Sequence, residues 1–387
     1  MQLELTDEER AFRDEMREFF TTKVSEETRD TVAAGRELTK DQLVESMRTL
    51  NAAGLAVPRW PVEWGGQDWT EIQYHLWREE MERACVPTPL AFNAGMIGPV
   101  IAQFGTEEQK KEFLPKTANI DIFWSQGFSE PDAGSDLAGL RTTAVKDGDD
   151  WVVNGQKTWT TLGQYGDWIF TLVRTDPDAK KQAGISMLLI DMESEGLEVR
   201  PIQLIDGGHE VNEVWFEDVR VPGENLVGEL NGGWSIAKFL LGNERVGVAP
   251  SGIIKRVLGR VKGLAEDRFA DDPLLRAHIA ELENELLALE LTTMRVAANS
   301  VEGKPDPASS VLKLKGSVLQ QQVSELVLDL AGPAGLASGA ALDSSDSDLT
   351  EWERVAAPLY LNLRKASIYG GSNEVQRQII ARNILGL

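Results

Sequence analysis

Three stretches of the chain carry side chains whose types and spacing suit chemistry on a bound cofactor. The first is "IYGGSNEVQRQIIARNILG", residues 368–386. Two glycines and a serine lead into an apolar-periodic run of Val375, Ile379, Ile380 and Ile384 that stops at Gly386, which predicts a loop, an N-cap and a helix. The N-terminus of such a helix offers free backbone N–H groups and the positive end of a dipole, so it suits an anion or the polar edge of a cofactor. The loop itself, Tyr369 followed by Gly370, has no acid or base beside the tyrosine.

The second stretch is "WSQGFSEPDAGSDLAGLRTTA", residues 124–144. Small residues and a Pro-Asp-Ala-Gly turn gather backbone N–H groups with the Ser129 and Ser135 hydroxyls, a set that suits a ring edge or phosphates. On composition alone it reads equally as a structural loop. In the third stretch, "NGQKTWTT", Trp159 offers a flat apolar face and Thr161 a hydroxyl. A lone tryptophan in such a place is more often core than a cofactor platform.

The elements that must position these groups change character twice along the chain. Thr6 to Glu9 has the form of a capping box, and Phe12, Met16, Phe19 and Phe20 follow at helical spacing. Helices broken by Gly/Pro turns such as "LNAAGLAVPRWPVEWGG" continue to about Lys116, so residues 1–120 read as a helical domain. Residues 121–230 read as a β domain: "TTAVKDGDDWVVNGQKTWTT" alternates around a Gly-Asp turn, and "DWIFTLVRT", "ISMLLIDM", "LEVRPI" and "NEVWFEDVRVP" follow as short strands. After "GELNGGW", residues 231–387 are long periodic helices of the kind that form a bundle. Within them, "ASGAALDSSDSDL", residues 337–349, reads as a mobile polar link. The chain is mainly α with a central β domain.

Composition limits what this architecture can do. A chain of 387 residues needs more than one core. Its formal net charge of −23 argues against nucleic acid and against an anionic membrane surface as partners, although an acidic surface commonly serves only solubility. The single cysteine, Cys85, excludes an internal disulfide, and His75, His209 and His278 lack metal spacing, so no metal is expected. No run approaches the roughly 18 apolar residues of a membrane span. The acidic, amphipathic start lacks a secretory signal's basic region and apolar core, so a soluble, reducing, cytoplasmic setting is expected.

Taken together, "GFSEPDAGSD", "NGQKTWTT", "FEDVRVPGENLVG", "LGNERVGVA" and "IYGGSNEVQR" resemble, in order and approximate spacing, the motifs of the FAD-dependent acyl-CoA dehydrogenases. The resemblance covers nearly the whole chain and is nearest to the bacterial pimeloyl-CoA and steroid side-chain type. It implies an N-terminal helical domain, a middle β-barrel-like domain and a C-terminal four-helix bundle, with FAD as cofactor. It also implies that Gln126, Gly127, Phe128, Ser129, Ser135, Trp159, Thr160 and Thr161 line the flavin ring and pyrophosphate, and that Gly371, Ser372 and Glu374 meet the cofactor at the last helix. Ser135, Asn243, Arg245, Tyr369 and Gly370 fall on the side of the CoA thioester.

The family reaction forms a trans-2-enoyl-CoA and needs a base for the α-proton. A desolvated glutamate suits it, because burial raises a carboxyl pKa towards the working pH. In one branch of the family that glutamate follows the loop tyrosine, where this chain has Gly370. In other branches it stands on a bundle helix just before an arginine, and "LLGNERVG" has Glu244 before Arg245 at that place. The resemblance therefore makes Glu244 the catalytic base, against the alternative of a solvated helix glutamate. Gly242 and Gly247 nearby leave room for a bulky acyl group or serve close helix packing.

The family completes its flavin site across a subunit interface, and there the pattern departs. Arg268 is a remnant of an Arg-x-x-Phe-Gly stretch, Asp329 stands where a glutamine belongs and Pro333 where a glycine does. A proline removes a backbone donor and an aspartate brings negative charge near a pyrophosphate. The expectation is an α2β2 assembly with a homologous subunit, the alternative a homotetramer, with an electron-transfer flavoprotein as electron acceptor. The rival functions are an oxygen-using flavoenzyme of the same fold, such as an acyl-CoA oxidase or N-hydroxylase, and a non-catalytic subunit of a heteromer.

Overall fold

Helix starts in the N-terminal third are written by threonines. The computed structural model describes residues 5–247, 251–268, 271–298, 307–336 and 349–387. Its first helices are α1 (Asp7–Thr22), α2 (Glu26–Ala34), α3 (Lys40–Ala52), α4 (Glu71–Arg83), α5 (Gly98–Phe104) and α6 (Glu107–Ala118). Reciprocal capping boxes pair Thr6 with Glu9, Thr39 with Gln42, Thr70 with Gln73 and Thr106 with Gln109. Each satisfies orphan N–H groups at a helix start, an effect of roughly 1 kcal/mol per cap. Met16 and Phe20 of α1 are buried, as their helical spacing predicts, and Phe12 and Phe19 pack partly against the same core.

Eight strands follow: β1 (Trp124–Gly127), β2 (Thr143–Asp147), β3 (Asp150–Thr161), β4 (Trp168–Arg174), β5 (Ile185–Asp191), β6 (Leu197–Ile202), β7 (Val211–Val221) and β8 (Leu226–Val227). They form one sheet in the order β6-β7-β3-β2-β4-β5-β8, with β1 parallel to β4. The Gly-Asp turn read from the sequence is the β2–β3 hairpin. Ala144, Trp151, Val153, Ile169, Val173, Leu188, Ile190, Val214 and Phe216, from five strands, share one core, so the sheet curls over on itself. The opposite faces of β4 and β5 present Phe170, Leu172, Met187 and Leu189 to the core of the N-terminal helices. Buried on both sides, these two strands read as continuous apolar runs, not as alternations.

The C-terminal helices are α7 (Gly233–Gly247), α8 (Ser251–Arg268), α9 (Pro273–Ala298), α10 (Ser309–Ala331), α11 (Glu351–Asn362) and α12 (Asn373–Ile380). Helix α10 is central and touches α7, α8, α9, α11 and α12. Ile254, Leu258, Val261, Leu282, Leu286, Leu289, Leu319, Val323 and Leu326 fill the bundle core. Of the polar link, residues 337–348 lie outside the described residues. No helix among the described residues is long and apolar enough to cross a membrane.

Candidate cofactor and substrate site

Gln126 and Gly127 end β1, opposite Phe170 and Thr171 of β4. A side chain on Gly127 would come within 2.6 Å of the Thr171 hydroxyl, so this glycine serves strand packing. The Phe128 side chain is buried edge-on to Phe170, with ring centroids 5.8 Å apart, which leaves only its backbone available to a ligand. The Ser129 carbonyl accepts from the Thr158 N–H at 2.9 Å, so the first and second predicted stretches do meet. Ser135 lies exposed further along the loop, next to Asp136, which pairs with Lys181 at 2.8 Å.

Strand β3 is irregular where it reaches this loop. Its register against β7 shifts between Lys157 and Thr160, and within that bulge Trp159 has φ +60° and is 58% exposed. A bulky residue at positive φ stores roughly 1–3 kcal/mol of strain and persists only where its surroundings fix it. The sequence left Trp159 open between core and platform; it is not core. Thr160 is buried, and its hydroxyl has no hydrogen-bond partner among the described residues, while its carbonyl accepts from Asn212 Nδ2 at 3.1 Å.

Beneath this platform lies an ion pair that sequence reasoning missed. Lys157 is fully buried and donates to the Glu130 carboxylate at 2.7 Å and to the Phe128 carbonyl at 3.2 Å. Glu130 also accepts from the backbone N–H groups of Arg141 at 2.6 Å and Thr142 at 2.9 Å. Burial pushes the Lys157 ammonium down to about 8 despite the attraction of Glu130. For Glu130 the penalty of burial is outweighed by Lys157 and by donors from Thr142 and Arg141, which hold the carboxyl below its usual range. In "NGQKTWTT" nothing local signals that the lysine has a partner 27 residues away.

The C-terminal loop is built as predicted at its start and differently along its helix. Gly370 and Gly371 have φ +62° and +83°, and a side chain on Gly371 would meet Gln376 Nε2 at 2.6 Å. That amide donates to the Gly371 carbonyl at 3.2 Å, and Ser372 caps α12 by accepting from the Val375 N–H at 3.4 Å. The buried positions of α12 are polar: Asn373, which accepts from Lys313 at 3.3 Å and Ser317 at 3.0 Å, and Gln376, whose Oε1 has no partner among the described residues. Ile384 and Tyr369 are exposed. Glu374 is exposed too, and its own backbone N–H and the Ser372 hydroxyl hold its carboxyl below the usual range.

The platform and the glycine loop are tied to each other. The Leu162 N–H donates to the Glu210 carbonyl at 2.6 Å, and the Glu210 carboxylate accepts from Lys365, a few residues before Tyr369. Asn362 Nδ2 adds a hydrogen bond to Asp206 at 2.6 Å in the same β6–β7 loop. The third predicted group lies on α7, whose backbone packs against residues 91–97, α5 and α10. The side chains of Asn243, Glu244 and Arg245, and that of Arg268, lie outside the described residues. Asp329 and Pro333 are exposed at the C-terminal end of α10. Among the described residues no three His, Cys, Asp or Glu side chains cluster as metal ligands.

Models of the acyl-CoA dehydrogenase N-terminal, middle and C-terminal domains match residues 6–121, 125–219 and 231–385 in turn. The chain belongs to the acyl-CoA dehydrogenase family. As a member it is an oxidoreductase acting on acyl-CoA. It is 39% identical over 346 residues to acyl-CoA dehydrogenase IpdE1 of Mycobacterium tuberculosis, covering 87% of this chain and 86% of that one. Acyl-CoA dehydrogenase FadE26 of the same organism is 34% identical, covering 100% and 99%. Among solved structures, the ChsE4-ChsE5 complex from Mycobacterium tuberculosis superposes with a TM-score of 0.85 at 33% identity, covering 100% of this chain and 99% of the other. The Tcur3481-Tcur3483 steroid acyl-CoA dehydrogenase gives 0.85 at 30% identity, with the same coverage.

Buried hydrogen-bonding side chains not singled out from the sequence pack around these stretches: Glu130, Lys157, Asn373 and Gln376 stand inside the quoted motifs, and Asn212 and Lys313 outside them. Their shared signal is a hydrogen-bonding side chain buried within or beside a motif, and the burial becomes visible only once the elements are assembled.

Proposed function

We propose that the chain catalyses FAD-dependent α,β-dehydrogenation of an acyl-CoA thioester to the trans-2-enoyl-CoA, with Glu244 of α7 removing the α-proton. The observation that carries this reading is the strained, exposed Trp159 beside the unpartnered Thr160 hydroxyl, in a platform tied to the Gly370–Gly371 turn. An aromatic face, a free buried acceptor-donor and a capped helix start fit a flavin. Gln126, Ser129, Ser135 and Trp159 to Thr161 would hold its ring and pyrophosphate, and Gly371, Ser372 and Glu374 its remaining polar edge. When bound, FAD supplies the acceptor for the hydride that leaves Cβ.

Glu244 takes the proton from Cα. Its neighbours Asn243 and Arg245, with Ser135, Tyr369 and Gly370, orient the thioester. Proton loss next to a thioester becomes feasible when its oxygen accepts preorganised hydrogen bonds and water is excluded. The absence of any acid beside Tyr369 supports α7 as the source of the base. Electrons then pass to an electron-transfer flavoprotein.

Likeness to a steroid acyl-CoA dehydrogenase supports a bulky, steroid-derived acyl group over a short straight chain. Likeness to two-subunit enzymes supports an α2β2 assembly in which a homologous subunit supplies the groups replaced here by Asp329 and Pro333. The flavin-to-polypeptide ratio of the chain purified alone, read from visible absorbance, tests this. A flavin-poor product rescued by co-expressing a homologous subunit is expected. A ratio near one flavin per chain would establish that the chain completes its own site as a homo-oligomer.

A further inference from the structure

We infer that Glu130 and Lys157 are a positioning pair that shapes the flavin cradle from beneath, and that their mutual charge, beyond their bulk, holds the cradle in its binding form. The inference rests on the flavin reading above and adds to it the support of residues that touch no ligand.

Between β1 and β2, residues 128–142 carry little regular structure: one short turn of helix, Leu137–Gly139, and a reciprocal backbone pair between Glu130 and Ala133. Such a segment needs fixed points if Ser129 and Ser135 are to meet a cofactor in one geometry. Glu130 supplies two: Oε2 takes the Arg141 N–H and Oε1 the Thr142 N–H, closing the loop on itself. Lys157 supplies two more, joining Glu130 and the Phe128 carbonyl to β3 two residues before Trp159. Three backbone segments, at residues 128–130, 141–142 and 157, therefore converge on one ammonium–carboxylate contact.

Stability alone does not call for this arrangement. A buried ion pair repays its desolvation only when geometry and extra hydrogen bonds are good, and apolar residues of similar shape commonly serve as well. Here the surrounding core is apolar, with Phe128, Ala133, Ala138 and Leu140 all buried. The pair stands where the backbone must be held, not where volume must be filled. The charged groups acting on Lys157 are Glu130 from the loop and Arg174 from β4, whose guanidinium is occupied by the Ala138, Leu140 and Lys181 carbonyls. Arg141 turns outward to Asp132 at 3.5 Å.

The test is the rate of flavin release, followed as rising flavin fluorescence, from the flavin-loaded assembly in wild type, Lys157→Met, Glu130→Gln and the double variant. Each single change is expected to speed release by at least about tenfold, and the double change to be no worse than either, the mark of two residues acting as one. Wild-type release should quicken as pH rises through about 8, where the ammonium gives up its proton, and the double variant should show no such step. Glu130→Gln keeps the shape and an acceptor oxygen, so it reports even where Lys157→Met fails to fold. Variants that hold FAD at the wild-type rate, or single effects that multiply without a pH step, overturn the inference alone. A wild-type assembly that takes up no FAD overturns the flavin reading and the inference with it.

Discussion

The Lys365 ammonium donates to the Glu210 carboxylate across the boundary between the sheet and the C-terminal helices. Glu210 in turn accepts the Leu162 N–H through its own carbonyl at 2.6 Å, so one residue grips both the end of the β3 segment and the approach to the Tyr369–Gly371 loop. Burial pushes Lys365 down, against the pull of Asp206 and Glu37. Cutting the contact with Glu210→Gln should loosen the two halves of the site relative to each other and leave each half folded. The expected result is flavin lost on gel filtration with global stability reduced by only about 1 kcal/mol, because both partners remain partly open to solvent. Parallel flavin absorbance and urea melts check it.

Trp159→Gly separates strain from binding. Glycine accepts φ +60° without penalty but loosens the unfolded chain, and Trp159 is mostly exposed, so flavin-free stability should stay within roughly 1 kcal/mol of wild type. Flavin retention should fall by at least about tenfold, because an aromatic platform of that size contributes 1 kcal/mol or more. Thermal melts with and without added FAD make the comparison.

Trp159 also marks how far the sequence reads. Ser372 as N-cap, Thr6 with Glu9 as capping box, and the β2–β3 hairpin around its Gly-Asp turn are local patterns, and the structure has them where the letters place them. The bulge that turns Trp159 outward depends on β7 slipping against β3, and no local pattern encodes a slip. Helix α12 shows the opposite failure. Its apolar period is real, but the helix buries Asn373 and Gln376, and Ile384 falls beyond its end and stays exposed, because the fixed partners of α12 are the polar side chains of α10 and its own loop. Periodicity predicts the helix, and the neighbours decide which face it shows them.

The buried pair gives a pH dependence of defined sign. Lys157 is held at about 8, below its ordinary value of 10.5, so between those two values the unfolded chain binds the extra proton and stability contributed by this group rises with pH. Glu130 is held below its ordinary value of 4.5, so its contribution is present above that value and is lost as pH falls through the lowered one. Compared with the Glu130→Gln, Lys157→Met double variant, wild type should gain on the order of 2 kcal/mol between pH 8 and 10.5. Flavin retention should move the other way over the same range, which separates cradle shape from global folding. Urea melts of both proteins at three alkaline pH values test the sign.

The most direct test of the proposed chemistry is anaerobic mixing of the flavin-loaded assembly with a saturated acyl-CoA, a steroid-derived thioester among those tried, while the visible flavin absorbance is recorded for wild type and Glu244→Gln. The account predicts that wild type bleaches and yields the enoyl thioester, and that Glu244→Gln keeps its flavin but bleaches at least about 100-fold more slowly, the usual loss when a general base is removed. Bleaching at the wild-type rate in Glu244→Gln would contradict it and remove Glu244 as the base.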